Sequence, residues 1–260
     1  MRMRSVAPVL IGALALGVLA APAASAATAA GNPAPKITKA VVSSLVLGPK
    51  TTKTWTASVT VTDESGIKGV KLMPWPAMVP DFAPKASDVA DEGAAATCKA
   101  TSATTSVCTY KESINSHADL GDNLGAGRWY VAVQVTAKDG GTTFAPKATS
   151  FTFKRQASLT AKASAKSVKK NSTITVTGQL KAADWKSGKV VNYGKQSVTL
   201  QFRKSGTTAW KAVKTVKADA KGAVKATAKV SAAGSWRYAF AGNGSVAAVN
   251  SAGATVSLKK

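Results

Sequence analysis

The sequence predicts an all-β protein built of antiparallel sandwiches, and three observations carry that prediction. Apolar residues recur at every second position through most of the chain, the period of a half-buried strand. Clusters of Gly, Asp and Asn punctuate those runs where turns are needed. No helical pattern long enough to connect parallel strands intervenes.

Taken in order, Trp55, Ala57, Val59 and Val61 share one strand face, with Thr54, Thr56, Ser58, Thr60 and Thr62 opposite. Trp129, Val131, Val133 and Val135 repeat the pattern, as do Ile174 and Val176, then Val198, Leu200 and Phe202. Val224, Ala226, Ala228 and Val230 follow, then Trp236, Tyr238 and Phe240, and finally Val256 and Leu258. Val, Thr and aromatic side chains suit a pleated surface buried on one side. The stretch from Pro74 to Gly93 breaks the rhythm with four prolines and four acids, and reads as a long loop. A short helix around Ala86 to Asp91 is the other reading.

Charge divides the chain. Of 260 residues, 35 are Lys or Arg and 12 Asp or Glu, a formal charge of +23. Residues 36–154 hold 13 basic and 10 acidic side chains, whereas residues 155–260 hold 20 basic and only two acidic, Asp184 and Asp219. That asymmetry predicts two sandwich domains, 36–154 and 155–260, with different surface chemistry.

The N-terminus carries an export address. Arg2 and Arg4 precede an apolar run from Val9 to Leu19, and Ala24-Ser25-Ala26 supplies small residues for cleavage. Residues 1–26 are therefore expected to be a cleaved signal peptide and residues 27–35 a disordered leader. The mature chain is expected to lack a transmembrane segment and to be secreted, extracellular or loosely envelope-associated.

Cysteine usage fits that address. Cys98 and Cys108 flank a small, Thr-rich segment. If it folds back around Ala103, the two residues face each other across an antiparallel pair, where a disulfide is geometrically available and outside the cytosol should form.

Several segments resemble bacterial immunoglobulin-like modules. Val59-Thr60-Val61-Thr62-Asp63-Glu64-Ser65-Gly66-Ile67-Lys68-Gly69-Val70 is similar to their strand–turn–strand, and Gly127 to Gly140 resembles their late strand. Tyr193 to Arg203 with Gly234 to Gly242 looks like a second module. The resemblance implies tandem immunoglobulin-like domains of the kind found in secreted actinobacterial proteins. It implies a fold, not an activity.

Chemistry is sparse. One histidine and two cysteines exclude a His/Cys-rich metal site. His117 lies in a polar loop with no nucleophile motif around it and reads as an exposed loop residue. Asp63, Glu64 and Asp139 sit at strand ends; either two turns meet at one pole and hold calcium, or the carboxylates cap their own turns. No cofactor is expected, and the protein is not expected to be an enzyme.

What remains is binding. Lys225 and Lys229 project from the polar face of a strand. Lys186 and Lys189 flank a connection that contains Trp185 and leads to Tyr193. Trp185 either stacks on a sugar or base, or caps the open end of its sandwich. These six residues are the candidate polyanion-binding set, for anionic wall polymers, acidic polysaccharide or, non-specifically, nucleic acid. The alternative is a protease inhibitor presenting the disulfide-braced loop.

Overall fold

Alternation in the sequence becomes burial strand by strand. The computed structural model describes residues 33–259, so the expected signal peptide and the leader up to residue 32 lie outside the described residues. The strand with Trp55, Ala57, Val59 and Val61 buries those four side chains and turns its Thr and Ser residues outward.

In the N-terminal half the strands are β1 (Lys36–Val42), β2 (Leu45–Leu47), β3 (Thr52–Thr62), β4 (Ile67–Pro76), β5 (Ala94–Ala95), β6 (Thr97–Ala100), β7 (Thr105–Asn115), β8 (Gly127–Ala137) and β9 (Thr142–Arg155). One sheet runs β1-β3-β7-β6 and the other β2-β9-β8-β4-β5. Trp55, Val59 and Val61 of β3 and Cys108 of β7 meet Leu72 of β4, Val131, Val133 and Val135 of β8, and Phe151 and Phe153 of β9.

The C-terminal half comprises β10 (Ala157–Leu159), β11 (Lys162–Ala163), β12 (Ser167–Val168), β13 (Thr173–Asp184), β14 (Lys189–Asn192), β15 (Ser197–Lys204), β16 (Lys211–Lys217), β17 (Ala223–Lys229), β18 (Gly234–Phe240), β19 (Val249–Asn250) and β20 (Ala254–Leu258). Strand β13 pairs with β10, β11, β14 and β17. The facing sheet runs β12-β20-β18-β15-β16, with β19 against β18. Ile174, Val176, Leu180, Val224 and Ala226 pack against Val198, Leu200, Trp236, Tyr238 and Val256. The Tyr238 hydroxyl crosses this core to donate to the Val176 carbonyl at 2.7 Å, and burial pushes its phenol up to about 12. These are β-sandwiches of the immunoglobulin-like kind, antiparallel except for the short pairings β2–β9 and β12–β20 and an isolated bridge between Arg155 and Val246.

The region from Pro74 to Gly93 corrects the loop expectation. Strand β4 continues through Pro74 and Pro76, which lie beyond its pairing with β5 at Lys71 and Leu72, so that side of the strand is a free edge. A proline there forfeits no ladder bond. A helix, α1 (Ala86–Glu92), follows. The Lys85 N–H donates to the Asp88 carboxylate at 2.8 Å at its start, and Val89 is buried with Trp75 and Ala132. The helix alternative for Ala86 to Asp91 is the one the fold adopts, although a single inward side chain over seven residues gives it little periodicity.

No free linker joins the halves. Strand β9 ends at Arg155, β10 begins at Ala157, and the Gln156 backbone between them is fully bonded. Its N–H donates to Leu47 at 2.8 Å, and its carbonyl accepts from Ala183 at 2.8 Å. The Arg155 N–H donates to the Ser245 carbonyl and its own carbonyl accepts from Ala247. Residues 33–259 fall within one compact unit that contains both cores.

Candidate functional site

The six residues of the expected polyanion set do not converge. Lys225 stands opposite Thr177 and Lys229 opposite Thr173 across β13–β17, all on the outer face. Lys162 on β11 also pairs with Thr177, so one row across the sheet reads Lys162–Thr177–Lys225, its lysines two strand spacings apart, about 10 Å. Thr175 and Thr227 form the next outward pair. Lys189 pairs with Asp184, seven positions further along β13 and so about 23 Å from Lys225. Lys186 and Lys189 are exposed at the β13–β14 turn, where the stem of Lys50 from the N-terminal half lies against Gly188.

Two members of the set are corrected by burial. Trp185 is fully buried, and it packs into the N-terminal core beside Leu47. Its indole N–H donates to the Leu47 carbonyl at 3.3 Å, and its backbone N–H to the Asn123 side chain at 3.1 Å. No face is left for a sugar or base; Trp185 joins the halves. Tyr193 is half-buried, with the Arg155 guanidinium 5.4 Å from its ring centre, Phe240 edge-on at 6.1 Å, and its hydroxyl accepting from Asn243. Its ring is partly covered by these neighbours.

His117 also departs from the exposed-loop expectation. Its Nδ1 lies 2.6 Å from the Trp185 carbonyl, an acceptor only, so Nδ1–H donates, and the ring is part of the joint. Of the two readings for Asp63, Glu64 and Asp139, turn-capping has direct hydrogen bonds at Asp63 and Asp139. The turns bearing Asp63 and Asp139 do meet, through the Asp139 N–H and the Ser65 hydroxyl at 3.3 Å. Two of the carboxylates cap their own turns: Asp63 accepts from the Ser65 N–H and hydroxyl, and Asp139 from the Gly141 N–H. Among the described residues no group of three or more His, Cys, Asp or Glu is placed to hold a metal ion.

The two acids of the basic half do not neutralise its lysine face. Asp219 accepts from the backbone N–H groups of Lys221 and Ala223, both at 2.8 Å. Asp184 accepts from the Ser187 hydroxyl and the Asn123 amide, and the Ser187 bond above all holds its carboxyl below the ordinary value. Both carboxylates are used in turns or at the joint, away from the Lys162–Thr177–Lys225 row.

The opposite sheet carries a cluster that sequence reasoning missed. Arg203 on β15 and Arg237 on β18 both point away from the core, and both lie over the ring of Trp210 just before β16. Their guanidinium carbons stand 4.8 Å and 4.2 Å from the Trp210 ring centre. The Arg237 Nε–H donates to Gln201 at 2.8 Å, while partial burial and then repulsion from Arg203 lower its pKa. The ring finds room because Gly253 has no side chain; a Cβ there would come within 3.3 Å of Trp210. The alternation Leu200-Gln201-Phe202-Arg203 and Trp236-Arg237-Tyr238 already points both arginines outward; only the pairing of β15 with β18 makes them neighbours.

Cys98 and Cys108 are bonded to each other, directly opposite across β6–β7 as the fold-back around Ala103 requires. The hairpin tip rests on the β3–β4 turn, where the Asp63 N–H donates to the Thr104 carbonyl at 2.8 Å.

The geometry thus defines a protein of two β-sandwiches, the C-terminal one with basic outer faces. A model for a family of unknown function, DUF5707, matches residues 47–135. A search of curated proteins finds no match. Similar solved structures include fibronectin(III)-like modules of CbhA from Clostridium thermocellum, at 15% identity over 85% of this chain and 93% of that one, with a TM-score of 0.37. The D00-D0 domain of intimin is similar at 14% identity over 86% and 98% of the two chains, TM-score 0.28. The adhesin InvE of Yersinia pseudotuberculosis is similar at 14% identity over 86% and 60%, TM-score 0.28. At such scores the likenesses carry nothing about a ligand. No helix among the described residues is long and apolar enough to cross a membrane.

Proposed function

We propose that this is a secreted, non-catalytic binding protein associated with the cell envelope, whose basic C-terminal half attracts polyanions. The observation that carries the reading is the outer face of β11, β13 and β17, where Lys162, Lys225 and Lys229 alternate with Thr173, Thr175, Thr177 and Thr227. Neither acid of that half lies against it. Lysine ammonium groups on flexible stems act as diffuse point charges, suited to wall polymers, acidic polysaccharide or nucleic acid without base readout. The inhibitor alternative gains no support, because the disulfide hairpin is tied at its tip to a neighbouring turn.

The test uses the full chain with Lys162, Lys225 and Lys229 each changed to Gln, singly and together. Binding to teichoic acid, heparin and DNA is followed from low to physiological salt. Affinity should fall linearly on a log–log plot against salt, and each lost lysine contact should reduce the slope by about 1. Unchanged affinity and slope in the triple variant would sink the proposal.

A further inference from the structure

We propose that Arg203 and Arg237, held against Trp210, form a shaped site for an oxyanion carried on a sugar ring, the carboxylate or sulfate ester of an acidic polysaccharide. The site lies on the sheet opposite the lysine face and stands independently of it.

Three observations build the site. The first is unspent donor capacity. A guanidinium has five N–H donors in a fixed fork. Among the described residues Arg237 spends only Nε–H, on Gln201, and Arg203 is engaged only through Trp210. Two adjacent like charges, without a carboxylate between them, leave a site that an anion would relieve. Second, the pair is preorganised. Trp210 and Gln201 hold the guanidiniums in place, so less side-chain entropy is lost on binding than with free lysines.

The third observation is the hydroxyl-bearing surround. In register across the sheet, Arg203, Ser235 and Thr255 form one row, and Thr215, Thr199 and Ala239 another, flanking the row with Gln201 and Arg237. Ser235 and Thr255 share a hydrogen bond at 3.2 Å, and so do Thr199 and Thr215. Such hydroxyl pairs can exchange bonds with sugar hydroxyls on either side of the charged group. Nucleic acid fits less well. Bases need open aromatic faces, and Trp210 is half-buried with two guanidiniums already against its ring. The exposed large apolar residues of this half are Val190, Val191 and Val213, none of them aromatic.

The test is calorimetric titration of the full chain at physiological salt with oligogalacturonate, a heparin oligosaccharide and oligo-dT of matched charge. Arg203→Lys and Arg237→Lys keep the charge and remove the fork. Each should weaken binding of whichever oligosaccharide the wild type takes by at least about tenfold, the scale of a lost charge-assisted bond. Lys225→Gln with Lys229→Gln should leave most of that binding in place. Trp210→Phe should abolish the ligand-induced change in tryptophan fluorescence, a readout that serves even where an arginine variant folds poorly. Preference for the carboxylated or the sulfated oligosaccharide identifies the oxyanion. Equal binding by the Arg→Lys variants, tighter binding of oligo-dT, or binding of neither oligosaccharide would overturn the proposal. Loss confined to the lysine variants would overturn it while leaving the lysine-face reading intact.

Discussion

The N-terminal and C-terminal sandwiches share a fold class but differ in what stabilises them and in what they show to solvent. The first has an aromatic core, with Trp55 5.1 Å from Phe151, Trp129 5.4 Å from Phe153, and a disulfide across one edge. Its basic and acidic residues nearly balance, and two of its acids, Asp63 and Asp139, cap turns. The second has no cysteine, a core of Val, Leu, Ile and Ala around Trp236, Tyr238 and Phe240, and a surface of almost unrelieved positive charge. In a strand the inward positions decide folding and the outward ones decide surface chemistry, so the two can vary independently. The difference also has a limit. The basic half supplies Trp185 to the core of the balanced half, which makes the two sandwiches mechanically one body at the joint.

The largest expected effect breaks that joint. Trp185→Ala removes a fully buried indole and its N–H bond to the Leu47 carbonyl, and should cost about 3–5 kcal/mol. Urea unfolding of the wild type should be a single transition. The variant should separate into two, with the N-terminal half the weaker. A loss below about 1 kcal/mol, a typical single hydrogen bond, would mean that the halves stand independently.

A second variant sharpens the contrast between a braced and an unbraced sandwich. Removing the cross-link with Cys98→Ser and Cys108→Ser closes no ten-residue span in the unfolded chain, and should cost about 3 kcal/mol by the loop-entropy argument. The loss should be largest in amide exchange of β3, β6 and β7 and smaller in β13 and β17. Equal loosening of both halves would contradict this localisation.

The smallest effect concerns Asp184, which links the β13–β14 turn to Asn123. Its pKa is lowered by the Ser187 bond first, opposed by burial and aided by Asn123 and Arg155. A lowered folded-state pKa contributes stability above the unfolded value, near about 3.9, and that contribution is lost as pH falls through the folded value. Urea midpoints measured below about pH 4 should therefore decline less steeply in Asp184→Asn than in the wild type. Parallel curves would remove Asp184 from the acid response.

Period-two alternation, turn residues and charge are local properties, and they made the strands, the Cys98–Cys108 hairpin and the basic C-terminal half legible from the sequence alone. Alternation even states that Arg203, Arg237, Lys225 and Lys229 face outward. It cannot state which outward residues become neighbours, because that depends on pairing between segments far apart in the chain. Register placed Lys162 and Lys225 on either side of Thr177, and the β15–β18 pairing brought Arg237 and Arg203 to the same Trp210 ring. Trp185 shows the same boundary from the inside. Beside Lys186 and Ser187 it reads as either a stacking aromatic or a cap on its own sandwich, and only the docking of β13 against Leu47 and Asn123 buries it in the other half's core. The short helix Ala86–Glu92 was decided likewise, by a pocket for Val89 that Trp75 and Ala132 create from distant strands. A lone side chain carries no period of its own, so its fate is set by the surface it meets.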